Sequence, residues 1–319
     1  MGKFLDISDA KRKQKILKVL FIVSFMIIPI VHFCLFYVYV NLDSFLMAFQ
    51  KPNETKTDLI FTLDNFTYIF KLLKEGSSFP EWDLQVAFTN TFKTFLVQMI
   101  MYPIGLLVSY FIYKKVWGYK AYRVMFYLPT IISSVVVSFF FQELMSPTSS
   151  FFPKFLYKIT GTAGVVQNPL ENPDLANKMV LLNLIWLSFP GNLIIWGGAF
   201  SRIPDSVIES ARIDGVSWVR ELVQIILPLV WPTFVLTVTT SIAGVFAATG
   251  NVFLLTGGLN GTQTISNWLY MRVQQANDPL SNDYLYQASA LGLILTVISC
   301  ALAIFVRKVL NSRVEEIQY

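Results

Sequence analysis

The chain has 319 residues, of which 54% are apolar and 14% are charged, and its mean hydropathy is +0.54. Soluble domains carry about 25% charged and about 45–50% apolar residues, so this chain holds more hydrocarbon than a soluble globule can bury. Modest numbers of glycine (16), proline (14) and cysteine (2) exclude fibrous, disordered and disulfide-stapled proteins. The composition predicts an integral membrane protein, and we expect its net charge of +5 to reflect membrane topology and not a nucleic-acid partner.

Long runs without ionised residues divide the chain into six predicted transmembrane helices, because a helix needs about 20 apolar residues to cross the bilayer. The uncharged run that ends at Arg272 is too long for one helix. The Gly/Asn/Thr-rich stretch after its span is therefore placed outside the membrane or in a re-entrant loop. The predicted spans are 19–41, 94–113, 124–142, 179–201, 228–253 and 284–306, within a transmembrane domain of residues 16–310 between tails 1–15 and 311–319.

The basic residues predict the orientation of these spans. Sixteen of the 25 lysines and arginines lie in the N-terminal tail, in the loops after spans 2 and 4, and in the C-terminal tail. Cytoplasmic segments near the ends of spans carry an excess of lysine and arginine. Both termini are therefore expected in the cytoplasm.

No aspartate, glutamate, lysine or arginine lies deep in any predicted span. Carriers driven by proton or sodium gradients usually place an ionisable residue at mid-membrane, so energy for transport is expected to enter from outside the bilayer. The sequence contains no G-x-x-x-x-G-K-[ST] phosphate-binding loop and no zinc-binding or nucleophile motif. We therefore predict no catalytic residue, no metal site and no enzymatic activity.

The loop between spans 4 and 5 has the pattern of a helix, a turn and a second helix. Ile203, Val207 and Ala211 recur every four residues, and charged residues occupy the opposite side. Gly215 is placed to end this helix in a left-handed cap, and Ser217 to cap the helix that runs into the fifth span. On these residues alone, a surface helix lying on lipid and a docking helix for a partner protein are equally compatible with the pattern.

The same loop carries a recognisable motif. Glu209-Ser210-Ala211-x-x-Asp214-Gly215, followed by Ile225-x-Leu227-Pro228, resembles the EAA loop of binding-protein-dependent ABC importer permeases. Ser210 stands where the family has alanine, and Leu222 stands where an aromatic residue is usual. Further stretches are similar to the carbohydrate-uptake group, with its maltose and glycerol-phosphate permease subunits: FTLDNFTYIF (61–70), Asn90-Thr91, Tyr127-Leu128-Pro129 and VFLLTGG (252–258).

The resemblance implies a type I ABC importer permease fold in a bacterial plasma (inner) membrane. It implies a second permease subunit, usually a different chain, together with an ATP-binding cassette ATPase dimer and an extracytoplasmic solute-binding protein. ATP would bind only at the partner subunits, and this chain would bind no cofactor. The solute would be a sugar, an oligosaccharide or a polyol. A secondary carrier or channel that works without an ATPase is the alternative.

By the same resemblance, the cytoplasmic loop 202–227 is a coupling loop, and residues 204–228 couple the chain to its ATPase. The residues expected to dock are Glu209, Ala211, Asp214 and Gly215. Sugars are usually bound by aromatic faces with a few amide or hydroxyl partners. Asn251, Phe253 and Thr256, at the outer end of span 5, are therefore candidates for the solute pathway.

Overall fold

The computed structural model describes residues 2–53, 58–77, 83–147, 154–155, 158, 168–247, 251–275 and 283–312, with side chains from residue 12 onward. Regular structure in this part of the chain is helical apart from one antiparallel pair of three-residue strands, β1 (Gln50–Pro52) and β2 (Leu59–Phe61). Five of the described helices are long and apolar enough to cross a membrane, and there are six spans if one bent pair counts as a span. The all-α membrane fold is confirmed.

The helices are numbered here in chain order. They are α1 (Gly2–Phe33), α2 (Val40–Ala48), α3 (Asp64–Glu75), α4 (Leu84–Tyr113), α5 (Tyr119–Ile131), α6 (Ser134–Met145), α7 (Pro173–Phe200), α8 (Asp205–Ile213), α9 (Trp218–Arg220), α10 (Leu227–Ala243), α11 (Val252–Thr256), α12 (Ile265–Gln275) and α13 (Asp283–Asn311). Two π-helical segments, Cys34–Tyr39 and Glu221–Ile226, join α1 to α2 and α9 to α10 without a break.

The first span packs against the rest of the described chain mainly through its C-terminal end, α2, which contacts α13. It runs without interruption over 37 residues, Arg12–Ala48, and none of its most apolar window is buried inside the chain. The second and fourth spans, in α4 and α7, instead pack along each other and are partly buried. The first span therefore offers its apolar surface to lipid or to another subunit, whereas α4 and α7 form the centre of the molecule.

The third predicted span is not one straight helix. It is formed by α5 and α6, which meet at an angle of 103°. Ile132, between them, has extended backbone angles of −88° and 140°. Pro129, one turn earlier, lacks the N–H that would continue the helical ladder, and the β-branched residues Thr130 to Ile132 favour an extended backbone.

The fifth span ends earlier than the sequence indicates. Its helix, α10, stops at Ala243, and a turn over 244–247 follows. The predicted end near Phe253 falls instead in the separate short helix α11. Gly244 stops α10 because it disfavours a helical backbone, and its N–H closes the last turn on Thr240 O at 3.0 Å. Residues 248–250 of the predicted span lie outside the described part of the chain.

Two apolar clusters hold the spans together at the two ends of α4. One is formed around the C-terminal half of α4 and includes Tyr102, Tyr110, Trp196, Phe200, Ile208 and Ile226. The other is formed around its N-terminal end and includes Ile69, Leu84, Ala87, Ile265, Trp268 and Leu291. The first cluster anchors the loop between spans 4 and 5, and the second anchors the segment after span 5.

Candidate functional sites

The loop helix α8 is seated in the core by one face. Pro204 occupies its N-cap position, and Asp205 opens its first turn, where a negative charge complements the helix dipole. Ile203, Ile208 and Ala211 are buried. The first two belong to the apolar cluster around the C-terminal half of α4, which is called the main apolar cluster. The four-residue spacing in the sequence therefore marks the side of α8 that packs against the spans.

Gly215 ends α8 in the left-handed conformation that the sequence predicts. Its φ is +66°, the N–H of Gly215 donates to Arg212 O at 3.1 Å, and the N–H of Val216 donates to Ala211 O at 3.1 Å. These two bonds form a Schellman cap. Ser217 occupies the N-cap position of α9, but its hydroxyl makes no capping hydrogen bond.

Only part of the predicted docking set faces outward. Glu209, Asp214 and Gly215 are exposed. Ala211 is 4% exposed, so its side chain seats α8 against the spans instead of reaching a partner. Ile213 was not among the predicted docking residues, although it is 86% exposed and lies on the charged side of α8. Its apolar side chain is out of phase with the buried stripe, and this pattern is visible in the sequence.

The turn after α8 leads directly into the fifth span. The short helix α9, the π-helical segment Glu221–Ile226 and α10 follow one another without a gap, and together they count as one candidate span, Trp218–Ala243. Within it, Leu222 and Ile226 belong to the main apolar cluster. Only the turn over residues 214–217 separates α8 from this continuous helical backbone.

An amide-lined cavity of about 300 Å³ lies between α4 and α7. Its polar lining consists of Gln98, Tyr102, Asn183, Ser188, Asn192 and Asn251. Asn251 Nδ2 donates to Asn183 Oδ1 at 3.3 Å, and Asn192 Nδ2 donates to Met101 O at 3.3 Å. Among the described residues, no partner is found for the buried Asn183 Nδ2. Neutral donors and acceptors thus converge on one cavity inside two membrane spans.

The structure brings one of the three predicted solute residues to this cavity. Asn251 lines it. Phe253 instead packs its ring against Tyr270, with the centroids 5.0 Å apart, and Thr256 Oγ1 shares a hydrogen bond of 2.6 Å with Thr262 Oγ1. The sequence reasoning missed the amides of α4 and α7, although uncharged polar residues inside a span are themselves a sign of function.

A larger cavity of about 670 Å³ lies nearer the N-terminal ends of α4 and α7, along the same contact between these two helices. This contact is called the seam. Its lining includes Thr89 and Lys93 of α4, and Asp174, Asn177 and Lys178 of α7. The two cavities are therefore arranged one after the other along the contact between these helices. Charged side chains line the larger cavity, whereas the polar lining of the smaller one is uncharged.

The motif residues Asn65, Asn90 and Thr91 act as structural clamps. Asn65 Nδ2 donates to Ala48 O at 3.0 Å and to Gln50 O at 2.9 Å, which fixes the end of α2. Asn90 Nδ2 donates to Gly261 O at 2.7 Å and to Gln263 O at 3.0 Å. Thr91 Oγ1 accepts from the N–H of Ile265 at 2.9 Å. These residues hold the ends of the spans and do not line the amide cavity, but Asn90 also lines the larger cavity described above.

Several spans around a polar seam, with a loop helix joined to one of them by a four-residue turn, define a membrane transport permease. The chain belongs to the family described as "Binding-protein-dependent transport system inner membrane component", whose model matches residues 101–316. As a member, it is a multi-pass inner-membrane permease subunit of an ABC importer, and ATP hydrolysis is performed by a separate subunit.

Named relatives agree with this assignment. The chain is 23% identical over 311 residues to the probable ABC transporter permease protein YurN of Bacillus subtilis, covering 95% of this chain and 99% of the relative. It is 26% identical over 255 residues to the sn-glycerol-3-phosphate permease protein UgpA of Brucella abortus, covering 79% and 81%. It is 24% identical over 167 residues to the maltose/maltodextrin permease protein MalF of Vibrio vulnificus, covering 52% of this chain and 31% of MalF.

A solved structure supports the fold. A crystal structure of a bacterial ABC transporter involved in the import of alginate, an acidic polysaccharide, matches with a TM-score of 0.73 at 20% sequence identity, covering 94% of this chain and 99% of the matched chain. The type I ABC importer permease fold implied by the sequence motifs is thereby confirmed.

Proposed function

We propose that this chain is the permease subunit of an importer for a sugar, an oligosaccharide or a polyol, and that α8 docks on the ATPase that drives it. The two faces of α8 carry this proposal. One face is locked into the apolar cluster of the spans through Ile208, and the other presents Glu209 and the 86% exposed Ile213. A helix held in this way can receive a push from a partner and pass it to the span that follows.

A docking role explains the surface of α8 better than a position on lipid. Helices that lie on membranes combine a broad apolar face with a mainly basic polar face. The broad apolar face of α8 is already buried inside the chain. Its exposed side is not mainly basic but mixes acidic and basic residues: Asp205, Glu209 and Asp214 with Arg202 and Arg212. These acids would repel the anionic lipids of a membrane surface, whereas they can pair with basic residues of a protein.

The proposed orientation places α8 and both termini in the cytoplasm. Lys114, Lys115 and Lys120 follow the C-terminal end of α4, and α8 packs against the same end of α4 through the main apolar cluster. This end of the molecule therefore carries the basic residues that the positive-inside rule assigns to the cytoplasm. In this orientation the larger cavity opens towards the extracytoplasmic side, where a solute-binding protein would deliver solute.

The amide cavity is the proposed solute site. Amide and hydroxyl groups are the polar partners that small-molecule sites use to orient neutral ligands, and Asn251, Asn183 and Asn192 supply them. Relatives are named for glycerol phosphate and maltose, and one solved relative is an alginate transporter bound to a periplasmic protein carrying an alginate pentasaccharide. A sugar-type solute, a binding protein and a second permease chain are accordingly part of the proposal, and ATP is assigned to the partner ATPase alone.

The test is to purify the tagged chain gently from its native membrane and to identify what accompanies it. We expect a P-loop ATPase, a second permease and a binding protein, and we expect ATP-dependent uptake of a sugar into proteoliposomes made from the complex. Recovery of the chain alone or as a homo-oligomer that moves solute without ATP would contradict the proposal in favour of a secondary carrier or channel.

A further inference from the structure

A buried ion pair joins the end of α4 to the segment that follows the loop helix α8. Lys114 Nζ lies 2.8 Å from Glu221 Oε1 and 2.9 Å from Oε2. The side chains are only 20% and 5% exposed. The surface pair Lys71–Glu75 on α3 is different, with 3.9 Å between its charges and side chains 69% and 62% exposed. Because burying charge is costly unless the pairing is close, Lys114 and Glu221 hold their two segments in a fixed relation.

A ring contact and a hydrogen bond, both made by aromatic residues of α4, reinforce this junction. The rings of Phe111 and Trp218 lie with their centroids 5.5 Å apart, and the Tyr110 hydroxyl donates to Trp218 O at 3.5 Å. Trp218 begins α9, directly after the capped turn that ends α8. The last turn of α4 is therefore clamped to the backbone that emerges from α8.

Glu221 lies where the backbone departs from regular helical geometry. It is the first residue of the π-helical segment Glu221–Ile226, and π-helical turns inside α-helices frequently occur at functional sites. On the other side of the pair, α4 is continuous from Leu84 to Tyr113 and carries Gln98 and Tyr102 of the amide cavity. Lys114 follows Tyr102 by about three helical turns, so one helix joins the ion pair to the proposed solute site.

We propose that Lys114 and Glu221 are positioning residues that transmit the displacement of α8 to α4 and so to the amide cavity. When α8 moves with its ATPase, the segment from Trp218 moves with it, and the ion pair pulls the end of α4 along. Without the pair, α8 is linked to α4 only by the apolar and aromatic contacts of this junction, and less of its displacement reaches α4. This inference rests on the proposed docking of α8. It assigns a part in coupling ATP hydrolysis to opening of the cavity to Lys114, which lies outside the recognised loop, and to Glu221, which the loop motif leaves unspecified.

The experiment uses the assembled transporter in proteoliposomes and measures solute uptake per ATP hydrolysed. The variants are Glu221→Gln, Lys114→Gln and the charge reversal Lys114→Glu/Glu221→Lys. Glu75→Gln serves as the control, since it removes an exposed ion pair that lies within α3. We expect each single variant at the junction to lower the uptake-to-hydrolysis ratio about fivefold, with ATP hydrolysis continuing. The reversal restores at least half of the wild-type ratio, and the control leaves it unchanged.

Single variants that assemble and keep the wild-type ratio would overturn the inference. If the single variants fail to assemble, the charge reversal decides. If the charge-reversed transporter assembles and its uptake is coupled to ATP hydrolysis, the inference is supported. If it assembles but hydrolyses ATP without uptake, the inference is overturned. Wild-type uptake that needs no ATP would instead contradict the proposed function itself, so failure of the inference and failure of the function give different results.

Discussion

Gly105 of α4 and Asn192 of α7 lie so close that a side chain at Gly105 has no room. A Cβ atom built on Gly105 would lie 2.5 Å from Asn192 Cβ and 2.9 Å from Asn192 Cγ. Small residues allow membrane helices to approach closely and pack along their backbones. Asn192 also lines the amide cavity, so the contact that joins the two spans also positions one wall of the proposed solute site.

Gly105→Ala is expected to separate α4 from α7 and to displace Asn192. Overpacking of a tight contact costs about 1–3 kcal/mol, so the melting temperature of the purified chain in detergent should fall and solute uptake should fall with it. Gly198→Ala is the matched control, because a Cβ on that α7 residue meets nothing within 4 Å. A Gly105→Ala protein as stable and active as the control would show that the seam tolerates separation.

Gly258 is expected to be the most sensitive glycine of the turn after α11. Its φ is +84°, and an added Cβ would lie 1.8 Å from Asn267 Nδ2. Asn267 Nδ2 itself donates to Gly257 O at 3.1 Å. Gly258→Ala combines a left-handed backbone, which costs about 1–2 kcal/mol in a residue with a side chain, with loss of this hydrogen bond.

Gly261→Ala provides the comparison for that substitution. Gly261 also has a positive φ, of +72°, but a Cβ there meets nothing within 4 Å. Thermal unfolding of the two variants should therefore show the larger loss of stability for Gly258→Ala. Equal losses would mean that backbone conformation alone, and not the clash with Asn267, determines the effect.

Substitutions on the exposed side of α8 should uncouple the chain from its ATPase without affecting insertion. Glu209→Lys reverses the charge offered to the partner, and Gly215→Val forces a β-branched residue into a φ of +66°. Membrane fractionation should recover both variants at wild-type levels, while ATP-driven uptake is abolished. Glu75→Lys, a charge reversal on the exposed surface of α3, should transport normally. Wild-type uptake by Glu209→Lys would contradict the docking assignment.

Asn251 and Phe253 should differ in their effects on solute binding. Asn251→Ala removes a lining amide and the donor to Asn183, and loss of one neutral hydrogen bond should raise the KM for uptake about 2- to 10-fold. Phe253→Ala removes only a ring contact with Tyr270 and should leave KM unchanged. Uptake kinetics at constant protein amount provide the test. A higher KM for Phe253→Ala alone would move the solute site away from the amide cavity.

The sequence predicts the features that depend on local chemistry. The cap at Gly215 and the buried side of α8 follow from one glycine and one four-residue spacing, and both are confirmed. The family motifs in the loop likewise predicted the fold correctly. Local patterns succeed here because a helix end or an amphipathic face depends on neighbouring residues.

Other features depend on residues that are distant in the sequence. The amide cavity is created by the packing of α4 against α7, and the ion pair joins Lys114, after span 2, to Glu221, after span 4. Spans of uniform hydropathy give no indication of which face meets another helix. The sequence therefore could not show that Asn183 and Asn192 line the same cavity as Gln98. The bend between α5 and α6 was missed for a related reason, since hydropathy reports membrane depth and not helix direction.

Contact between Ile213 and an ATPase is the most direct test of the account. The experiment attaches a photo-crosslinker to Ile213→Cys, in a chain whose native Cys34 and Cys300 are replaced. The assembled complex is then illuminated in its native membrane. We predict an adduct that mass spectrometry identifies as a P-loop ATPase, and no such adduct from Val297→Cys, an exposed position within α13. If Ile213→Cys yields only lipid adducts or no protein adduct in an actively transporting complex, α8 is not the docking helix and the central claim is wrong.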